Sequence, residues 1–244
     1  YQPKYAFAAS TALSVEALVR WVHPQRGFVP PLAFIPFDEQ TGYIRRITLW
    51  VLERAIRQCA DWNRAGRAVC VGVNLSARDL LQHDLPEAFE AMLARHGCAA
   101  CWITLEITES AVLDEPAKAL ANLARLRATG CALSIDDYGT GYSSLSYVRQ
   151  MPVQELKIDR SFVMNLLASP ADEIIVRSTV ELAHDMGLTV TAEGVETEAI
   201  LRRLGVLGCD LAQGYFIGRP MTAGDLEGWM DSSPWAVPGH HRGD

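Results

Sequence analysis

Six short apolar runs in this chain each lead into a polar or charged residue, and amphipathic stretches with helical spacing alternate with them. Val71-Gly72-Val73 runs into Asn74, and Ile103-Thr104-Leu105 into Glu106. Leu133-Ser134-Ile135 runs into Asp136 and Asp137, and Glu155-Leu156-Lys157-Ile158 carries Lys157 and ends on Asp159. Val190-Thr191-Ala192 leads to Glu193, and Leu211-Ala212 to Gln213. Short apolar runs read as buried strands, and β–α alternation implies a mainly parallel sheet.

The helices between them are explicit. Ile44, Ile47, Val51, Leu52, Ala55, Ile56 and Cys59 follow an i, i+3, i+4, i+7 rule, which predicts a helix over 44–65 stopped by Gly66. Further helices are expected over 86–95, 116–128, 172–186, 197–204 and 223–230, most of them stopped by a glycine. Strands expected within the first twenty residues bring the strand count toward eight. A chain of 244 residues is close to the roughly 250 that one (β/α)₈ barrel uses. The expected fold is therefore α/β, a closed TIM-like barrel rather than an open sheet. One domain is expected over 1–231, followed by a mobile tail over 232–244 rich in Pro, Gly and His.

Composition excludes some partners. The formal net charge is −7, the wrong sign for a groove that holds polymeric nucleic acid. No apolar run reaches the roughly 18 residues of a membrane span, so no membrane contact is expected of this domain. Cys59, Cys70, Cys98, Cys101, Cys131 and Cys209 are scattered, several within apolar runs, and read as buried free thiols of a reducing cytoplasm. Cys98 and Cys101 form a CxxC, but no second ligand pair has the spacing of a structural zinc site. The opening Tyr1-Gln2-Pro3, with no Met, leads us to expect a larger parent protein, its membrane anchoring left open.

In a parallel barrel the strand ends named above share one rim, where active sites of this architecture lie. Carboxylates gathered there repel: two unit charges ~4 Å apart cost about 4 kcal/mol at an effective dielectric near 20. Divalent cations relieve this, and carboxylate and amide oxygens suit Mg²⁺ or Mn²⁺, whereas the His and Cys that zinc favours are absent from these ends. Two cations can clamp the attacking and leaving oxygens of a phosphoryl centre and generate a hydroxide-like water. Lys157 reads equally as a group that orients that water or as a structural partner of Asp159 or a neighbouring acid.

Longer blocks then match. Glu16-Ala17-Leu18-Val19-Arg20-Trp21 with His23-Pro24 and Gly27 resembles the signature of EAL domains. Phe34-Ile35-Pro36, Glu39, Val73-Asn74-Leu75-Ser76, Glu106-Ile107-Thr108-Glu109-Ser110 and the run from Asp136 to Leu145 match further family blocks. So do Leu156 to Val163, Ala192 to Thr197 and Gln213-Gly214-Tyr215. The resemblance covers nearly the whole chain, to Pro220. It implies a TIM-like barrel whose first strand is irregular and antiparallel, and hydrolysis of cyclic di-GMP to linear pGpG with two divalent cations, Mg²⁺ or Mn²⁺. In this family Glu16, Asn74, Glu106 and Asp136 look like first-metal ligands, with Asp136 bridging to a second cation that Asp137 serves. Lys157 is similar to the lysine that holds the water, and Glu193 to a general base or water positioner. Gln213 is similar to a supporting glutamine, and Glu109 looks like the anchor of the loop 137–144. Arg20 resembles a substrate-phosphate contact, and Gln2 and Asp159 are assigned to the substrate side. A homodimer and fusion to sensor or GGDEF domains are expected by resemblance only.

Tyr138, Ser14 and Tyr43 depart from common family residues without removing a ligand, so an active enzyme is expected over a cyclic di-GMP receptor that does not cleave. A Schiff-base aldolase on Lys157 is the other rival. His23 and His184 read as loop and surface residues, and Trp50, Trp62 and Trp102 as packing residues.

Overall fold

The protein is seen in a computed structural model that describes residues 1–8, 10, 12–140 and 145–236. Chain order is β1 (Gln2–Ala6), β2 (Leu13–Ala17), a hairpin of β3 (Trp21–His23) and β4 (Gly27–Val29), α1 (Pro31–Thr41), α2 (Ile44–Arg64) and β5 (Val69–Leu75). There follow α3 (Ala77–Leu80), α4 (Leu85–His96), β6 (Ile103–Thr108), α5 (Pro116–Ala128), β7 (Ala132–Tyr138), α6 (Leu145–Val148) and β8 (Glu155–Ile158). The chain continues through α7 (Arg160–Met164), α8 (Pro170–Asp185), β9 (Thr189–Ala192), α9 (Glu198–Leu207), β10 (Leu211–Gln213) and α10 (Ala223–Ser232).

Eight strands close a barrel in the order β1-β10-β9-β8-β7-β6-β5-β2, and β1 returns to β2. β1 runs antiparallel to both of its neighbours, and the other six pairings are parallel. The expected barrel and its reversed first strand are both present. Residues alternate between two faces along each strand. One face, with Val15, Val71, Val73, Leu105, Leu133, Ile135, Leu156 and Val190 all buried, packs outward under the helices and forms the hydrophobic core. The other face is polar and fills the lumen. Lys4 on β1 bonds Glu106 on β6 and Glu155 on β8; neither strand neighbours β1, so these bonds cross the barrel interior.

The helices obey local chemistry. α2 buries Ile44, Thr48, Leu52, Ala55, Ile56, Cys59 and Trp62 along one stripe. α8 begins earlier than expected because Ser169 caps it and Pro170 fits its first turn. α4 stops where Gly97 takes φ 62°, a left-handed turn that glycine enters without a Cβ penalty. The proline-rich stretch that forms α1 and the hairpin before it carried no periodic signal and were not foreseen. Trp50 is also exposed rather than packed. All six cysteines are free; Cys59, Cys98, Cys131 and Cys209 are buried as expected, but Cys101 is exposed. Past α10, Trp235 packs edge-on against Tyr5 and at a tilt against Phe216, while residues 237–244 of the expected tail lie outside the described residues. Among the described residues no helix is long and apolar enough to cross a membrane.

Candidate metal centre at the barrel mouth

Strand register decides which side chains meet. Gln2 pairs with Glu16 across β1 and β2, Glu16 with Gly72, Asn74 with Glu106, and Thr108 with Asp136. Two-residue periodicity then lines the lumen with Glu16, Glu106, Asp136 and Lys157. Gly72 makes space for one of them: a Cβ built there would stand 2.2 Å from Glu106 Oε1 and 2.9 Å from its Cδ.

Glu16, Glu106 and Asp136 each offer an oxygen within 4.8 Å of the others, and so do Asp136, Asp137 and Glu193. Asp136 belongs to both triads. The Lys157 ammonium, fully buried, lies 2.8 Å from Glu106 Oε2, 2.9 Å from Asp136 Oδ1, 2.6 Å from Glu193 Oε1 and 3.7 Å from Glu16 Oε2. Gln213 Nε2 donates to Glu16 Oε2 at 2.6 Å and to Gln2 Oε1 at 3.2 Å, and Asn74 Nδ2 to Glu16 Oε1 at 2.7 Å. The ammonium of Lys157 pairs with neighbouring acids of the mouth rather than with Asp159, an arrangement that both of its readings allow.

One ammonium does not balance this charge. Burial pushes the Glu193 carboxyl up to about 8 against the pull of Lys157, with Asp136 and Glu16 adding repulsion. Burial also lifts Asp137 to about 6, helped by Asp136 and Asp159. Burial raises Glu16 despite Lys157. Glu106 behaves oppositely: burial would raise it, but Lys157 and Lys4 together hold it down at about 2. Lys157 itself is desolvated, which favours the neutral amine, yet its acids outweigh this and hold it well above the ordinary lysine range.

The remaining expected residues are placed as follows. Glu109 Oε2 accepts the Gly139 N–H at 3.0 Å, while its Oε1 is buried with no partner among the described residues. Asp137 sits at φ 54°, a left-handed conformation costly for a non-glycine residue and common at functional turns. Its N–H bonds Asp136 Oδ1 at 3.0 Å. Residues 141–144 of the expected loop lie outside the described residues. Asp159 caps α7, accepting from Ser161 N at 2.9 Å. Gln2 Nε2 donates to Gly218 O at 3.0 Å. Arg20 does not reach the acid cluster. It bonds Val19 O and lines an adjoining cavity of about 700 Å³ with Tyr1, Leu18, Phe28, Trp50 and Arg54. Sequence reasoning missed Lys4, Glu155 and Gly72. Their signal was two-residue spacing from Gln2, Lys157 and Asn74 on the same strands.

The donor set fits a pair of hard cations. Five carboxylates converge, with the Asn74 amide against Glu16 and no His or Cys among them, and the lifted Glu193 and Asp137 carboxyls mark charge that a dication would neutralise. Barrel and site together define a class: α/β barrels whose mouth gathers carboxylates close enough to share a divalent cation. Comparison with known proteins narrows it. The chain matches the EAL domain family over residues 1–220 and belongs to that family. It is 43% identical over 227 residues to the bifunctional diguanylate cyclase/cyclic di-GMP phosphodiesterase MucR of Pseudomonas aeruginosa, covering 93% of this chain and 33% of that protein. It is 41% identical over 231 residues to the cyclic di-GMP phosphodiesterase NbdA of the same organism, covering 94% of this chain and 30% of that one. The chain thus spans about a third of the length of these curated relatives. A solved structure of the PaMucR phosphodiesterase in complex with c-di-GMP superimposes with a TM-score of 0.87 at 41% identity, covering 93% of this chain and 92% of that one.

Proposed function

We propose that this domain hydrolyses one phosphodiester bond of cyclic di-GMP to give linear pGpG, using two divalent cations, Mg²⁺ or Mn²⁺. The observation that carries this reading is the pair of carboxylate triads sharing Asp136 around the Lys157 ammonium. Glu16, Asn74, Glu106 and Asp136 would hold one cation, and Asp136, Asp137 and Glu193 would hold the second. When bound, such a pair supplies Lewis acidity that sharpens a water nucleophile and offsets charge on the phosphodiester.

The chain's own groups do the rest. Lys157 stays protonated, so it donates hydrogen bonds to the attacking oxygen and to developing negative charge. Glu193, 2.6 Å from Lys157, orients the water or takes its proton. Gln213 and Asn74 fix both oxygens of Glu16. Arg20, on the wall of the adjoining cavity, would meet a phosphate, with Gln2 and Asp159 as further substrate contacts. The structure that superimposes closely was solved as a c-di-GMP complex, which supports this substrate.

The permanently charged Lys157 disfavours the aldolase reading, because Schiff-base formation needs a neutral amine. The receptor reading is separated by assay. Incubation with cyclic di-GMP and Mn²⁺ or Mg²⁺, with an EDTA control, should release pGpG on nucleotide chromatography only when metal is free. Binding without pGpG would transfer the domain to the receptors. Homodimerisation is part of the same proposal, supported by exposed Met164 on α7, Leu167 in the turn after it and Ile174 on α8; fusion to sensor or cyclase domains and a cytoplasmic location belong to the proposal as well.

A further inference from the structure

Lys4 sits beneath the acid cluster and contributes no ligand to it. It is fully enclosed, and its ammonium bonds Glu106 Oε1 at 3.1 Å and Glu155 Oε1 at 3.2 Å. Glu155 in turn accepts the Thr191 hydroxyl, so Lys4 is held from below. The other oxygen of Glu106, Oε2, faces Lys157 at 2.8 Å on the side of the two triads. Oε1 lies against the bare backbone of Gly72, in space that a Cβ there would take, 2.2 Å away. One oxygen of Glu106 is therefore tied to the barrel floor, and the other faces the mouth, where Lys157 is its partner.

From this we infer that Lys4 is a specificity-setting residue for the cation, holding Glu106 to single-oxygen coordination. The inference rests on the reading of the mouth as a metal centre. Its consequence follows from ion size. Mg²⁺ demands short, octahedral, single-oxygen contacts, whereas Ca²⁺ takes more oxygens at longer range and readily accepts a two-oxygen carboxylate. A carboxylate whose second oxygen is occupied by an ammonium cannot offer that pair. Lys4 thus selects against Ca²⁺ from the floor of the barrel, on β1, a strand that carries none of the acids.

The test is direct binding, measured by calorimetric titration of Mg²⁺ and of Ca²⁺ into the wild-type domain, Lys4→Met and the charge-balanced double variant Lys4→Met/Glu155→Gln. In the variants the ratio of Ca²⁺ to Mg²⁺ affinity should move at least about tenfold toward Ca²⁺, the scale on which groups that orient a ligand tune a metal site. The double variant keeps the summed lumen charge and is read if the single one does not fold. A ratio unchanged within about twofold, or moved toward Mg²⁺, in a folded variant would overturn the inference while leaving the metal centre intact. Loss of the fold in both variants would also overturn it, making Lys4 a structural lysine only. Absence of divalent-ion binding by the wild type would instead sink the metal reading itself.

Discussion

Gly72 and Glu106 share one volume of the lumen: the strand carries no side chain where the neighbouring carboxylate lies, 2.2 Å from a would-be Cβ. Glu106 is pinned on both oxygens by lysines, so it cannot swing aside. Gly72→Ala should therefore destabilise the metal-free protein by about 1–3 kcal/mol, as overpacking does, and weaken protection by Mg²⁺. Gly228→Ala in α10, where a Cβ meets nothing within 4 Å, should be neutral or stabilising. Urea unfolding of both variants measures the contrast, and equal midpoints would remove the packing argument.

Metal stoichiometry separates the two triads. Glu16 enters only the first and Asp136 enters both. Glu16→Ala should keep one bound divalent ion and Asp136→Ala none, with turnover lost in both and the barrel still folded by circular dichroism. Metal analysis after equilibrium dialysis reads this out. Near-normal activity in either variant would refute the assignment.

Removing Lys157 leaves Glu106, Asp136 and Glu193 without their shared cation. Unpaired buried charge costs several kcal/mol, on the order of 3–5. Lys157→Met should lower the melting midpoint sharply in EDTA, and Mg²⁺ should restore more of it than it adds to the wild type. Turnover should fall by at least about 10². Full activity would take the lysine out of the mechanism.

The pH dependence of the metal-free protein follows from Glu193 near 8 and Asp137 near 6. Both carboxyls bind protons more tightly when folded than when unfolded, where they titrate near about 4. Their contribution is present below that value and is lost as pH rises through 6 and then 8. Melting in EDTA should therefore fall across roughly pH 4.5–8.5, and excess Mg²⁺ should flatten the fall. A midpoint that climbs with pH in EDTA, or a slope unaffected by Mg²⁺, would contradict these environments.

The barrel was legible because its strands are short apolar runs with polar ends and its helices keep a 3.6-residue period. The site was legible where the ligand type stands at a strand end, as at Asn74, Glu106 and Asp136. Glu16 was not: within Val15-Glu16-Ala17 it reads as well on a helix surface, and only the family resemblance picked it out. Lys4 and Glu155 were invisible for a different reason. A charge inside a strand looks solvent-facing until closure of the barrel turns that face inward, and closure is a property of the pairing β1–β2 rather than of any local pattern. The α1 stretch hid for another reason: Pro31 suits a first turn, but Pro36 inside the helix argues against the continuous element found there.

The reversed direction of β1 has one more effect. Along this strand the lumen is read from the opening downward, Gln2 then Lys4, whereas along β8 it is read upward, Glu155 then Lys157. Positive charge thus reaches the base of the acid cluster on a segment that supplies no acid of its own. Ion preference can be retuned by exchanging one side chain there, with the acid-bearing strands untouched.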